Sequence, residues 1–105
     1  MCKYTTIMSS PDIKLPSEKV LKHLCKLAIT EDKPIMLDYW SESFGGDNAG
    51  VLIGVRENDE KLLVRSEEEY TSPIAKIFKV FEEYIIVTEN SLYVVSSTIP
   101  TKRIN

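Results

Sequence analysis

Glu83-Tyr84-Ile85-Ile86-Val87-Thr88-Glu89-Asn90-Ser91-Leu92-Tyr93-Val94-Val95-Ser96-Ser97 is two runs of β-branched and aromatic residues on either side of Glu89-Asn90-Ser91. Asn90 is a residue that takes the positive φ of a tight hairpin turn, so the stretch reads as a β-hairpin. Tyr84, Ile86, Leu92 and Val94 fall on one parity, and Ile85, Val87, Tyr93 and Val95 on the other. A strand that is apolar on both faces has to be covered on both faces. The hairpin therefore belongs in the middle of a sheet or in the wall of a small closed barrel.

Working upstream, 74–81 is ambiguous by pattern. Ile74, Ile77, Phe78 and Phe81 match the helical i, i+3, i+4, i+7 spacing, yet the segment is rich in β-formers. Glu82-Glu83 leaves room only for a tight turn before the hairpin, so a strand continuing a meander is expected. Further back, 51–56 and 61–66 predict a second hairpin across Glu57-Asn58-Asp59-Glu60, with Leu52, Leu62 and Val64 toward the core. Glu67-Glu68-Glu69 reads as a solvated loop, and Thr71-Ser72-Pro73 as a turn. Downstream of the central hairpin, Ile99-Pro100 ends the sheet and Thr101-Lys102-Arg103 reads as a polar tail.

The helical signal lies near the N-terminus. Val20, Leu21, Leu24, Cys25 and Ala28 form an apolar stripe bordered by Leu27, with Ser17 as N-cap and Glu18 at the positive end of the helix dipole. A helix over 17–29 is expected, with Cys25 as a buried, inert thiol. Lys19, Lys22, His23 and Lys26 occupy its opposite face, where a solvated outer stripe is the plainer reading and a site for an acidic or phosphate-bearing ligand the sharper one. Before the helix, 1–15 reads as a weak edge strand (Tyr4, Thr5, Thr6, Ile7) and a linker.

After Pro34, alternation places Ile35, Leu37 and Tyr39 on one face, taken as the core face, and Met36, Asp38 and Trp40 on the other. The following 41–50 contains three of the four glycines and reads as a mobile connection. Gly45 and Gly50 have phosphate-loop spacing, but Val51-Leu52 stands where Lys-Ser/Thr is required, and that resemblance is discarded. The fold expected from these segments is α+β: one N-terminal helix packed on a five- or six-stranded antiparallel meander sheet over 34–99, with a small barrel as the variant. At 105 residues the chain is read as a single domain, 1–105.

The strings Glu69-Tyr70-Thr71-Ser72-Pro73-Ile74 and Tyr84-Ile85-Ile86-Val87-Thr88-Glu89-Asn90-Ser91-Leu92-Tyr93 resemble stretches in small uncharacterised proteins of large eukaryotic DNA viruses. The resemblance spans about 34–104 and implies an origin only. No functional residue comes with it.

Composition narrows the function classes. A net charge of −3 argues against a dedicated nucleic-acid binder, whose affinity rests on neutralising phosphates. Cys2 and Cys25 form neither a disulfide framework nor a Cys-x-x-Cys pair, and no apolar run is long enough for a membrane span or a signal peptide. An intracellular, soluble protein without metal or cofactor is expected. His23 is the only histidine, and the chain contains no nucleophile elbow, His-Glu-x-x-His pair or glycine-rich dinucleotide turn. The leading expectation is accordingly a non-catalytic module that uses a sheet face or edge to hold a protein partner or another copy of itself. Met36, Asp38 and Trp40 are its candidate contact residues, with Trp40 packed beneath the 45–50 loop as the plainer alternative. Two other classes stay open: an acidic ligand held by Lys19, Lys22, His23 and Lys26, and a small enzyme with Asp38 as its acid or base.

Overall fold

The computed structural model describes residues 15–104, and the edge strand expected at 1–8 lies outside them. Helix α1, Glu18–Glu31, begins at Ser17, whose Oγ accepts the Val20 N–H at 3.3 Å. That bond satisfies one of the free donors of the first turn, as expected of an N-cap serine. The helix ends at Asp32, which takes the left-handed conformation (φ 56°) and lets the chain turn away.

Seven strands follow: β1 Ile35–Met36, β2 Leu52–Val55, β3 Lys61–Val64, β4 Ile74–Val80, β5 Glu83–Thr88, β6 Leu92–Ser96 and β7 Thr101–Arg103. The expected single antiparallel meander is replaced by two open sheets, ordered β1-β6-β5-β4 and β3-β2-β7, and no barrel closes. Within the first sheet, β4-β5-β6 is the antiparallel meander expected from the sequence, and 74–80 is the strand that its topology required. β1, however, pairs with β6 in parallel, and so does β7 with β2. The polar tail thus becomes a strand, fixed by Ile53 N–H to Pro100 O at 2.9 Å and Ile104 N–H to Val55 O at 2.8 Å. A sheet edge is completed by backbone groups, so side-chain polarity did not signal it.

Loop length sets the faces of the central hairpin. Glu83 pairs with Ser96 and Val87 with Leu92, and the next pair, Thr88 and Ser91, closes the turn. The loop is Glu89-Asn90 alone. One residue fewer than the expected Glu89-Asn90-Ser91 shifts the register by one, so Ile85 and Val87 share a face with Leu92 and Val94, while Ile86 lies opposite Tyr93. Nor does Asn90 take a positive φ. The Thr88 hydroxyl closes the turn instead, accepting the Ser91 N–H at 3.1 Å and donating to Ser91 O at 3.0 Å.

These two faces build two cores. Ile85, Val87, Leu92 and Val94 pack with Val20 and Leu24 of α1 and with Trp40. Ile86 and Val95 pack with Tyr39, Val51, Ile53, Leu63 and Ile99 on the side of the second sheet. The hairpin is covered on both faces, which is what its apolar residues demand. In the β2–β3 hairpin the expected parity is reversed: Ile53 and Leu63 face this second core, whereas Leu52 and Val64 are half-buried. Leu62 is buried on the outer face beside Gly54, where a Cβ would stand 2.7 Å from Ile104 Cδ1. Both faces of this hairpin are apolar, so alternation could not choose between them.

Residues 41–50 carry two 3₁₀ turns, Ser41–Ser43 and Gly46–Asn48, rather than an unstructured connection. Ser43 is fully buried; its Oγ donates to Trp40 O at 2.6 Å and accepts the Ser96 N–H at 2.8 Å. No described helix is long and apolar enough to cross a membrane.

Candidate functional site

Met36, Asp38 and Trp40 do not share a face. β1 stops at Met36, and a turn follows in which Trp40 N–H bonds Leu37 O at 3.2 Å, so strand alternation ends before it reaches Asp38. Met36 is half-buried and Asp38 exposed, but Trp40 is only 5% exposed, its indole 4.8 Å from the Phe44 ring in an edge-on contact. The proposed indole anchor is a core residue. Leu37, expected in the core, is 51% exposed for the same reason.

Asp38 acts at a distance on two phenols. Tyr39 and Tyr93 lie with ring centroids 5.4 Å apart. Burial raises the pKa of both above 10.0, and the negative charge of Asp38 adds to the rise in each case. For Tyr39, the Arg65 guanidinium, 5.2 Å from the ring centroid, opposes the shift. Arg65 itself is held by Glu42 at 2.6 Å.

The basic helix face is divided. Lys19, His23, Lys26 and Thr30 succeed one another at i, i+4, i+7 and i+11, a single helical flank, and His23, Lys26 and Thr30 line a groove of about 370 Å³ between α1 and β4. Leu27, Phe78, Lys79, Val80 and Ile85 complete its walls. Lys19 stands near the β4–β5 turn, its Nζ 4.8 Å from the Phe81 ring centroid. Lys22 lies with Glu18, Leu21 and Cys25 around another, shallow hollow, which Lys26 borders as well as the groove. Cys25 is exposed, a correction to its place on the apolar stripe: α1 sits over β1, β5 and β6 through Val20 and Leu24, and position 25 rotates past that contact.

The groove lies where α1, which packs chiefly over β1, β5 and β6, borders β4. This strand is the outer member of its sheet, and among the described residues no strand pairs with its second edge. Pairing with β5 puts Phe78 opposite Ile85 and Val80 opposite Glu83, on the helix side, and Ile77 opposite Ile86, on the far side. Ile77 and Phe78 are 36% and 40% exposed, and Phe81, in the turn that follows, is 60% exposed with φ 56°. A left-handed phenylalanine costs roughly 1–2 kcal/mol, and its exposed ring recovers little of that by burial. The ambiguous helix-like spacing of Ile74, Ile77, Phe78 and Phe81 was the sequence's signal: in a strand it puts apolar side chains on both faces of an edge.

A second hollow, of about 730 Å³, lies on the outer face of the β2–β3 hairpin beneath Tyr70 and Ile104. Its cations are already engaged, Arg65 with Glu42 and Arg56 with Glu60 at 3.4 Å. Lys19, His23, Lys26 and Lys79, by contrast, have no carboxylate within 4.0 Å among the described residues. No group of three or more His, Cys, Asp or Glu among the described residues is placed to hold a metal ion. Comparison of the chain with protein-family models, curated proteins and solved structures returns no match.

Proposed function

We propose that this protein is a non-catalytic interaction module that holds a protein partner along the open edge of β4. The observation that carries this reading is the edge itself: seven residues, unpaired on one side among the described residues, and flanked by exposed Ile77, Phe78 and Phe81. Free edges template strand addition, and proteins ordinarily blunt them by shortening or covering. The other edge of the same sheet is so treated, since β1 is two residues long. β4 is seven residues long and, among the described residues, no strand pairs with its second edge; Asp59, Glu60 and Lys61 border its first half, beside a register shift between Ile74 and Lys76, and a partner strand would continue the ladder along the second half.

Phe78→Glu tests this reading, because the residue is partly exposed and a carboxylate there leaves the two cores intact. Pull-down from the native source, compared by mass spectrometry, should lose its main partner with Phe78→Glu and keep it with the control Ile29→Ser, on the exposed side of α1. Retention of the same partners by Phe78→Glu, with an unchanged melt, removes β4 as the contact.

A further inference from the structure

We infer that the partner segment is an acidic peptide that enters in extended form as a fifth strand on β4, with carboxylates directed at the Lys19, His23 and Lys26 flank of α1. The inference rests on the interaction-module reading and specifies the chemistry of its occupant. The groove between α1 and β4 has an apolar floor of Leu27, Phe78, Val80 and Ile85, and its lining includes His23, Lys26 and Lys79 but no carboxylate. β4 itself carries Lys76 and Lys79 and no acid; Asp59 and Glu60 border its first half beside Lys76, away from the groove at Phe78 and Val80. Edge-to-edge pairing of two copies would bring Lys76 and Lys79 of both to one seam with no acid on either β4 to offset them, so the charge pattern favours an acidic segment over a second copy.

Spacing narrows the occupant further. Lys19 and Lys26 are seven residues apart on a helix, about 10.5 Å along its axis. In an extended peptide, acids at the first and fifth positions are about 13 Å apart and on one face, with the third residue between them on that face. An acid–x–apolar–x–acid segment therefore spans the cations and lays its central side chain over Phe78, while its backbone pairs with the free groups of β4. Lysine side chains reach the remaining few ångströms.

The experiment uses the full chain and three blocked heptapeptides: Thr-Glu-Thr-Phe-Thr-Glu-Thr, and the same sequence with both Glu replaced by Gln or by Lys. Amide hydrogen exchange and NMR titration read the site. The acidic peptide should slow exchange across 74–80, and its Kd should rise about tenfold as salt goes from about 50 to about 300 mM, since these charges sit at the surface and are screened. Lys19→Gln combined with Lys26→Gln should weaken it about fivefold or more, whereas Lys22→Gln should leave it within about twofold. If the Gln peptide protects 74–80 as well as the acidic one, the edge reading stands and the acidic occupant is wrong. Protection that grows with protein concentration alone would make a second copy the occupant and overturn the inference. Absence of protection by any peptide also overturns it, and the edge reading then falls only if Phe78→Glu retains its partners.

Discussion

Ser17 and Glu83 join the start of the helix to the central sheet. The Ser17 hydroxyl donates to Glu83 Oε1 at 3.0 Å while its oxygen caps the Val20 N–H, and the Glu83 side chain, expected in a solvated turn, is largely buried at the first position of β5. The turn proper is Phe81-Glu82, one residue earlier than the sequence suggested. Capping and interlayer contact share one hydroxyl.

Ser17→Ala should therefore cost more than an ordinary cap. About 1 kcal/mol is the usual loss for a serine N-cap, and the carboxylate left without its donor adds about 1–2 kcal/mol. Chemical denaturation should give about 2–3 kcal/mol in all. A double-mutant cycle with Glu83→Ala, which removes the acceptor, should recover a coupling near 1 kcal/mol, and no coupling would mean that the two groups act independently.

The two cores should respond alike to a buried charge. Ile86→Asp in one and Val94→Asp in the other place a carboxylate where exposure is 0%, at a cost of several kcal/mol, enough to unfold a domain of ordinary stability. Glu57→Ala and Glu68→Ala, at exposed positions, should leave the circular dichroism melt within a degree or two.

Trp40 should behave as a core residue in fluorescence. It is the only tryptophan, so emission should be blue and resist acrylamide at every protein concentration. Trp40→Ala should lose about 3–5 kcal/mol of stability. Red emission that becomes protected as concentration rises would return the indole to a contact surface.

Alkaline stability follows from the tyrosine pair. Folding holds the phenols of Tyr39 and Tyr93 above the 10.0 of the unfolded chain, chiefly by burial. Above that value the unfolded state releases protons first, so the stabilisation is whole below pH 10 and is lost as pH rises through the folded pKa values. Urea midpoints should be level from about pH 8 to 9.5 and fall beyond 10. In Tyr93→Phe the alkaline fall should be shallower, and an unchanged slope would show that other groups cause it.

Phe81→Gly tests whether backbone strain is kept for contact. Glycine takes φ 56° freely, and relief of the left-handed penalty should outweigh the lost Lys19–ring contact by about 0.5–1 kcal/mol. The melting temperature should rise while capture of the β4 partner weakens. A fall in melting temperature would mean that the ring supports the fold.

Local pattern was enough for much of this architecture. The apolar stripe and Ser17 located α1, the double-faced run at 83–97 identified the central hairpin, and the short connection before it required 74–80 to be a strand. Each of these rests on spacing within a few residues. What tertiary structure alone decided depends on contacts between distant segments or on a single residue of register: a two-residue turn that moves Leu92 and Val94 to the helix side, a polar tail that pairs with β2 through its backbone, and a strand that stops at Met36 so that Trp40 turns inward. The basic helix face was legible as residues but not as a site. His23 and Lys26 border a groove, with Lys19 beside Phe81 at its end, only because α1 packs chiefly over β1, β5 and β6 and, among the described residues, leaves Phe78 of β4 partly exposed, and that placement is set by how the two cores fill, which no local periodicity encodes.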